Sequence, residues 1–191
     1  MIDIPTVSET ETANARTLAI ETIAKRFNLP LPLVVAIART ESGLNRYAMR
    51  CEPAYRWLWD VQKNAPFEFL AGDRFDVRLP PKRFPSPSGI SQLTEWLGQS
   101  TSWGVMQVMG ALARQYGFRG QFPSLSDPML GAEIGCRHLV ELRDRYLNGS
   151  GWRGVIAAYN AGSPRLAGNG QDFLNQEYVE LVLKNGAVAI A

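Results

Sequence analysis

Between Arg50 and Ser102 the chain changes character, and this one stretch restricts what the whole can become. It holds Pro53, Pro66, Pro80, Pro81, Pro85 and Pro87, with Trp57, Trp59, Phe67, Phe69, Phe75, Phe84 and Trp96 distributed among them. Proline at that density breaks any long helix or central strand. Aromatic residues at that density exclude a flexible linker, because linkers do not carry so much apolar surface. The stretch therefore reads as an ordered insertion. Short helices are expected around "AYRWLWDVQ" and "SGISQLTEWLG", with a Pro-rich connection from about Arg78 to Pro87.

On either side of it the pattern is helical. A first helix is expected from about Ser8 or Thr10 to Phe27, with Leu18, Ile23 and Phe27 among its apolar residues and Asn28 as its stop. The "LPLP" at 29–32 ends it, and Pro32 suits the first position of a second helix. There Val34, Ile37, Ala38 and Glu41 fall at i, i+3, i+4 and i+7, one helical face, while Arg39 and Thr40 point elsewhere. An acid on an apolar face loses hydration, which moves its pKa towards the value a general acid needs near neutral pH. The alternative is a last-turn glutamate that reaches solvent or pairs with an arginine.

Helical period returns at "SWGVMQVMGALARQYGF", where Val105, Met109, Leu112 and Tyr116 form a stripe. Asp127 and Pro128 read as N-cap and first residue of a helix running through Ile134, His138, Leu142 and Tyr146 to a stop at Asn148–Gly149. Gly131 and Gly135 inside it imply close approach of another helix. "GWRGVIAAYNAGSPRL" and "DFLNQEYVELVLKNG" give two more helices. The expected fold class is all-α, a single domain over 1–191 with an insertion at about 50–102.

Composition excludes several function classes. With 46% hydrophobic and 20% charged residues the chain is globular rather than disordered. A net charge of +2 without any Lys/Arg run argues against a nucleic-acid partner. A single histidine, His138, argues against a His-rich metal site, and neither metal nor cofactor is expected. Cys51 and Cys136 are compatible with one bridge or two free thiols. The first twenty residues lack the basic start and apolar core of a signal peptide, and no apolar run approaches a membrane span, so a soluble protein is expected. Oligomeric state is not legible.

Three short segments carry more information together than apart: "ARTESGLN" at 38–45, "WGVMQVMG" at 103–110 and "AAYNAG" at 157–162. In this order they resemble the lytic transglycosylase domain, whose signature is a catalytic "ES", a "GLMQ" turn entering a helix, and an "AYNAG" helix end. The corresponding residues are Glu41-Ser42, Gly104-Val105-Met106-Gln107 and Ala158-Tyr159-Asn160-Ala161-Gly162. The resemblance spans about Leu18 to Leu183 without the insertion. It implies a lysozyme-like helical fold that cleaves the β-1,4 bond between N-acetylmuramic acid and N-acetylglucosamine in peptidoglycan. It further implies Glu41 as acid and then base, Gln107 and Met109 lining the groove, and Tyr159 and Asn160 near the scissile sugar. Tyr178 would approach from the last helix. Ser42 is expected to secure the helix end rather than touch substrate.

The chain departs from the family pattern in places. Arg46 replaces a proline, Glu41 and Gly104 are separated by an unusually long interval, Arg50 stands where some relatives carry a groove serine, and Leu174 where some carry a second glutamate. The insertion supplies Glu52, Asp60, Glu68, Asp73 and Asp76, of which Glu52 is the candidate for a second carboxylate and the others read as surface charges. A carboxylate facing Glu41 across roughly 6.5 to 9.5 Å would make a water-using muramidase, as in goose-type lysozymes. A non-catalytic wall-binding or virion structural protein is the alternative from another class. Wall-degrading chemistry without an export signal leads to the expectation of a phage-encoded lysin, acting at lysis or as part of the virion.

Overall fold

The computed structural model describes residues 9–71, 73, 76 and 78–187. Ser8, one of the two expected helix starts, and Phe75 of the insertion lie outside these residues. The described chain forms two compact units, Met1–Leu44 with Cys136–Ala191, and Asn45–Gly135.

The first unit is helical: α1 (Glu9–Arg26), α2 (Leu31–Ser42), the larger part of α5 (Pro128–Ala161), α6 (Gln176–Val182) and a closing π turn, Leu183–Ala187. Helix α2 is its centre. All six residues from Leu33 to Ala38 are buried, so the helix is apolar on every side rather than on the single face expected. It reaches the surface at its two ends, at Pro32 in the first turn and in the last turn, where Arg39 is exposed and Thr40, Glu41 and Ser42 are half-buried. Gly43 (φ 60°) and Leu44 (φ 65°) then adopt left-handed backbone, and the Gly43 amide donates to the Arg39 carbonyl at 2.9 Å, which ends the helix one residue after the acid's neighbour. Arg16 Nη1 donates to the Leu44 carbonyl at 2.9 Å and ties α1 to this terminus. Leu18, expected among the apolar residues of α1, is 63% exposed.

The α5 N-terminus is as read: the Asp127 carboxylate accepts from the Met129 and Leu130 amides at 2.9 and 3.0 Å. Its break is not at Asn148–Gly149 but at Gly151, whose φ of 61° and ψ of −173° leave helical space. The last helix starts at Gln176, later than expected, because Leu166 and Phe173 pair as an isolated bridge just before it.

The second unit contains strand, so the expectation of a purely all-α chain is corrected to a predominantly helical one. Strands β1 (Met49–Cys51), β4 (Thr101–Trp103) and β5 (Val108–Met109) form an antiparallel sheet in the order β1-β4-β5. Strands β2 (Trp59–Asp60) and β3 (Ala65–Pro66) form a hairpin where a helix was expected in "AYRWLWDVQ". The expected helix over "SWGVMQVMGALARQYGF" likewise shortens to α4 (Gly110–Gln115), because the motif before it is a hairpin turn. Gly104 there has φ of 70°, and a Cβ on it would lie 2.4 Å from the Leu125 carbonyl oxygen, so neither helix nor side chain fits. The close approaches at Gly131 and Gly135 are real, but to Leu125 and Met106 rather than to a second helix.

Helix α3 (Gln92–Gln99) lies within the expected "SGISQLTEWLG" segment, and the Ser91 hydroxyl caps it by accepting from the Thr94 amide. It delivers Trp96 into an aromatic core with Leu58, Phe67, Phe84 and Ala111, in which the Phe84 and Trp96 rings meet edge to face at 4.8 Å. Beneath them Glu95 and Arg114, both fully buried, form a two-pronged ion pair with both contacts at 2.8 Å. Gln99 completes the network, bonding Glu95 and both the amide and carbonyl of Trp59. Neither cysteine is in a disulfide; Cys51 is exposed and Cys136 buried. No described helix is long and apolar enough to cross a membrane.

Candidate functional site

The first unit brings Glu41 and Tyr178 together. The Tyr178 hydroxyl donates to Glu41 Oε1 at 2.6 Å, a short bond from the middle of α6 to the last turn of α2. Burial, the Glu41 charge and this bond push the Tyr178 phenol well above its ordinary value, and Tyr159 adds to the effect. Tyr178 therefore stays a proton donor over the whole range in which a carboxyl group titrates. With Oε1 accepting from that donor, the two carboxyl oxygens are inequivalent. Such a group can give a proton to a bound molecule and take one back.

Tyr159 and Asn160 close α5 before Gly162, whose amide donates to the Ala158 carbonyl at 2.7 Å. The Tyr159 ring lies half-buried, 5.7 Å from the His138 ring. Asn160 is exposed, and its Oδ1 accepts from Asn175 Nδ2 at 3.0 Å. Asn175 also donates to the Ala157 carbonyl at 3.0 Å, so it orients the Asn160 carboxamide against the end of α5. Sequence reasoning missed Asn175. Its partner lies fifteen residues away and is met only after folding. Ser42 donates to the Ala38 carbonyl at 3.2 Å, a contact within its own helix.

Gln107, Met109 and Glu52 belong to the second unit. Gln107 has left-handed backbone (φ 48°), and its carboxamide is spent on tying its turn to β4 and to the segment before β1: Nε2 donates to the Ala48 and Gly104 carbonyls at 3.0 and 2.9 Å, and Oε1 accepts from Ser102 at 2.9 Å. Met109 is half-buried at the end of β5. Glu52 is paired with Arg50. Asp60, expected at the surface, is 7% exposed and caps the β2–β3 turn by accepting from the Gln62 and Lys63 amides. Asp73 and Asp76 are paired with Arg83 and Arg78.

His138 gives the first unit a pH dependence. Burial pushes its imidazole down from 6.5 to about 4, against the pull of Glu141 and with a smaller push from Arg145. The folded state holds it neutral while the unfolded chain protonates it near 6.5, so its contribution is complete above that value and is lost as pH falls through about 4. Urea unfolding at pH 7 and pH 4 should differ by about 2 kcal/mol from this group, allowing for its partial exposure. His138→Gln should remove that share of the difference.

The profile of the Transglycosylase SLT domain matches residues 85–180, half of the chain. Comparison with curated proteins and with solved structures gives no match. The matched stretch contains Gln107, Met109, Tyr159, Asn160, Asn175 and Tyr178, and Glu41 lies before it. The motif order, the helix end that carries Tyr159 and Asn160, and the profile agree: the chain belongs to the Transglycosylase SLT domain family, whose members are peptidoglycan lytic transglycosylases.

Proposed function

We propose that the protein cleaves the β-1,4 bond between N-acetylmuramic acid and N-acetylglucosamine and releases a 1,6-anhydromuramoyl product, with Glu41 as its acid and base. The observation that carries the assignment is the 2.6 Å bond between Tyr178 and Glu41, which ties an acid outside the family match to a tyrosine inside it. The most deeply buried acid of the matched stretch, Glu95, has both carboxylate oxygens committed to Arg114.

Neutral Glu41 gives its proton to the glycosidic oxygen as the bond from that oxygen to C1 breaks. Negative charge then develops on the carboxylate, and the Tyr178 phenol, already directed at Oε1, stabilises it. The C6 hydroxyl of the muramic acid attacks C1 and passes its proton to Glu41. The acid is restored and no water is consumed. The substrate's N-acetyl group stabilises the intervening cationic sugar, so a second protein carboxylate is not required, and Glu52 stays with Arg50. Asn160 is suited to an acetamido group and Tyr159 to a sugar face. Gln107 and Met109 contribute by shaping the Gly104–Gln107 turn and the strand after it. On this reading residues 1–191 are one catalytic domain, and 50–102 are an insertion in it.

Mass spectrometry of digested sacculi tests the reaction. Anhydro-terminated muropeptides, lighter by one water than reducing-end ones, are the expected product. Predominantly reducing ends would make the protein a muramidase and return Glu52 to consideration.

A further inference from the structure

We propose that Asn185, in the π turn that closes the first unit, is a positioning residue that holds Glu41 in register through Thr40. The proposal rests on the reading of Glu41 as the acid. Asn185 Nδ2 donates to Thr40 Oγ1 at 2.9 Å. The direction is forced, because the single hydroxyl hydrogen of Thr40 goes to the Ala36 carbonyl at 2.8 Å. The Asn185 carbonyl in turn accepts from Arg39 Nη1 at 3.3 Å. One residue of the turn therefore grips α2 at the two positions immediately before Glu41.

The turn is itself well seated. Leu183 and Ala187 at its two ends are buried, and Gly186 (φ 126°) takes a backbone conformation that a side chain would strain. A helix widened into π geometry frequently marks a functional position, and this one follows α6 without interruption. The same continuous segment thus fixes the last turn of α2 twice, by Tyr178 on Glu41 and by Asn185 on Thr40.

The position of these bonds explains why they matter. Beyond Ser42 the chain leaves helical space, so the last turn of α2 has no further turn to support it and frays unless held from the side. The Tyr178 donor on Oε1 holds the carboxylate against α6. The Asn185 bond one residue away holds the side chain next to it on the same turn. Misplacement of a reacting group by about 1 Å lowers rates by up to about 10²-fold, so a loosened last turn should reduce turnover without touching the glycan-binding residues. The turn lies beyond residue 180, where the family match ends.

The test measures kcat and KM on purified sacculi, with melting temperature, for the full chain carrying Asn185→Leu, Thr40→Val, Thr40→Ser or Asn185→Leu with Thr40→Val, and Glu41→Gln as reference. Asn185→Leu and Thr40→Val should each lower kcat about tenfold at unchanged KM, measured well below the melting transition. The double variant should be no slower than the slower single one, since both break the same bond. Thr40→Ser, which keeps the acceptor, should restore most of the rate. Should Asn185→Leu not fold, the contrast between Thr40→Val and Thr40→Ser decides alone. A kcat within twofold of the parent in Thr40→Val, an equal loss in Thr40→Ser, or losses that multiply in the double variant overturn the positioning role while Glu41→Gln remains inactive. An active Glu41→Gln instead removes the reading of the acid, and the proposal with it.

Discussion

Glu41→Gln should lower the rate of sacculus clearing by about 10²- to 10⁴-fold, the range associated with loss of a general acid and base. The amide keeps the size and shape of the acid, and its oxygen still accepts the Tyr178 hydroxyl, so the last turn of α2 should stay in place. What it lacks is a transferable proton. The melting temperature should accordingly remain within a few degrees of the parent while turbidity assays show almost no clearing. Glu41 stands outside the stretch that carries the family match, which makes this the decisive substitution. An unchanged rate would return the non-catalytic wall-binding reading to first place.

The largest effect on stability should come from Arg114→Met. Arg114 is fully buried, holds both oxygens of Glu95, donates to the Phe118 and Gly120 carbonyls at 3.0 and 2.9 Å, and stacks over the Phe122 ring at 4.1 Å. Methionine can fill much of the space but leaves the Glu95 carboxylate buried with only Gln99 as donor. Removing one partner of a buried pair costs about 3 to 5 kcal/mol, chiefly because the remaining charge has lost its hydration without compensation. Urea unfolding followed by tryptophan fluorescence should show the unfolding free energy fall by that amount, with a lower midpoint, since Trp96 reports on the same core. Glu95→Leu added to Arg114→Met should recover part of the loss, because the uncompensated charge is then gone. A midpoint close to the parent in Arg114→Met alone would show that the ion pair is not what holds this unit together.

Local signals carried most of the helical frame. The Asp127–Pro128 start and the break after Ala161 are each set by residues within one turn, and each is where it was read. Errors arose where a periodic pattern had a second solution. Val105, Met109 and Leu112 satisfy a helical stripe, yet the left-handed backbone at Gly104 and Gln107 builds a hairpin from the first half. The "AYRWLWDVQ" segment became a hairpin because Gln99, forty residues away, supplies Trp59 with a donor and an acceptor in place of helical neighbours. Neither outcome is encoded in the local pattern, since the competing partner is distant in the chain.

The candidate site divides in the same way. Which residue types are present, in which motif order, and on a central apolar helix ending in an acid, is written in the chain from Val34 to Tyr178, because composition and short-range spacing are local properties. Only the folded structure decided that Tyr178 meets Glu41, that Asn175 orients Asn160, that Asn185 grips Thr40, and that the Gln107 carboxamide ties its turn to β4 and to the segment before β1. Those are hydrogen bonds of a few ångströms, several of them between residues far apart along the chain. Their directions depend on how helix ends and turns pack, which no periodicity records.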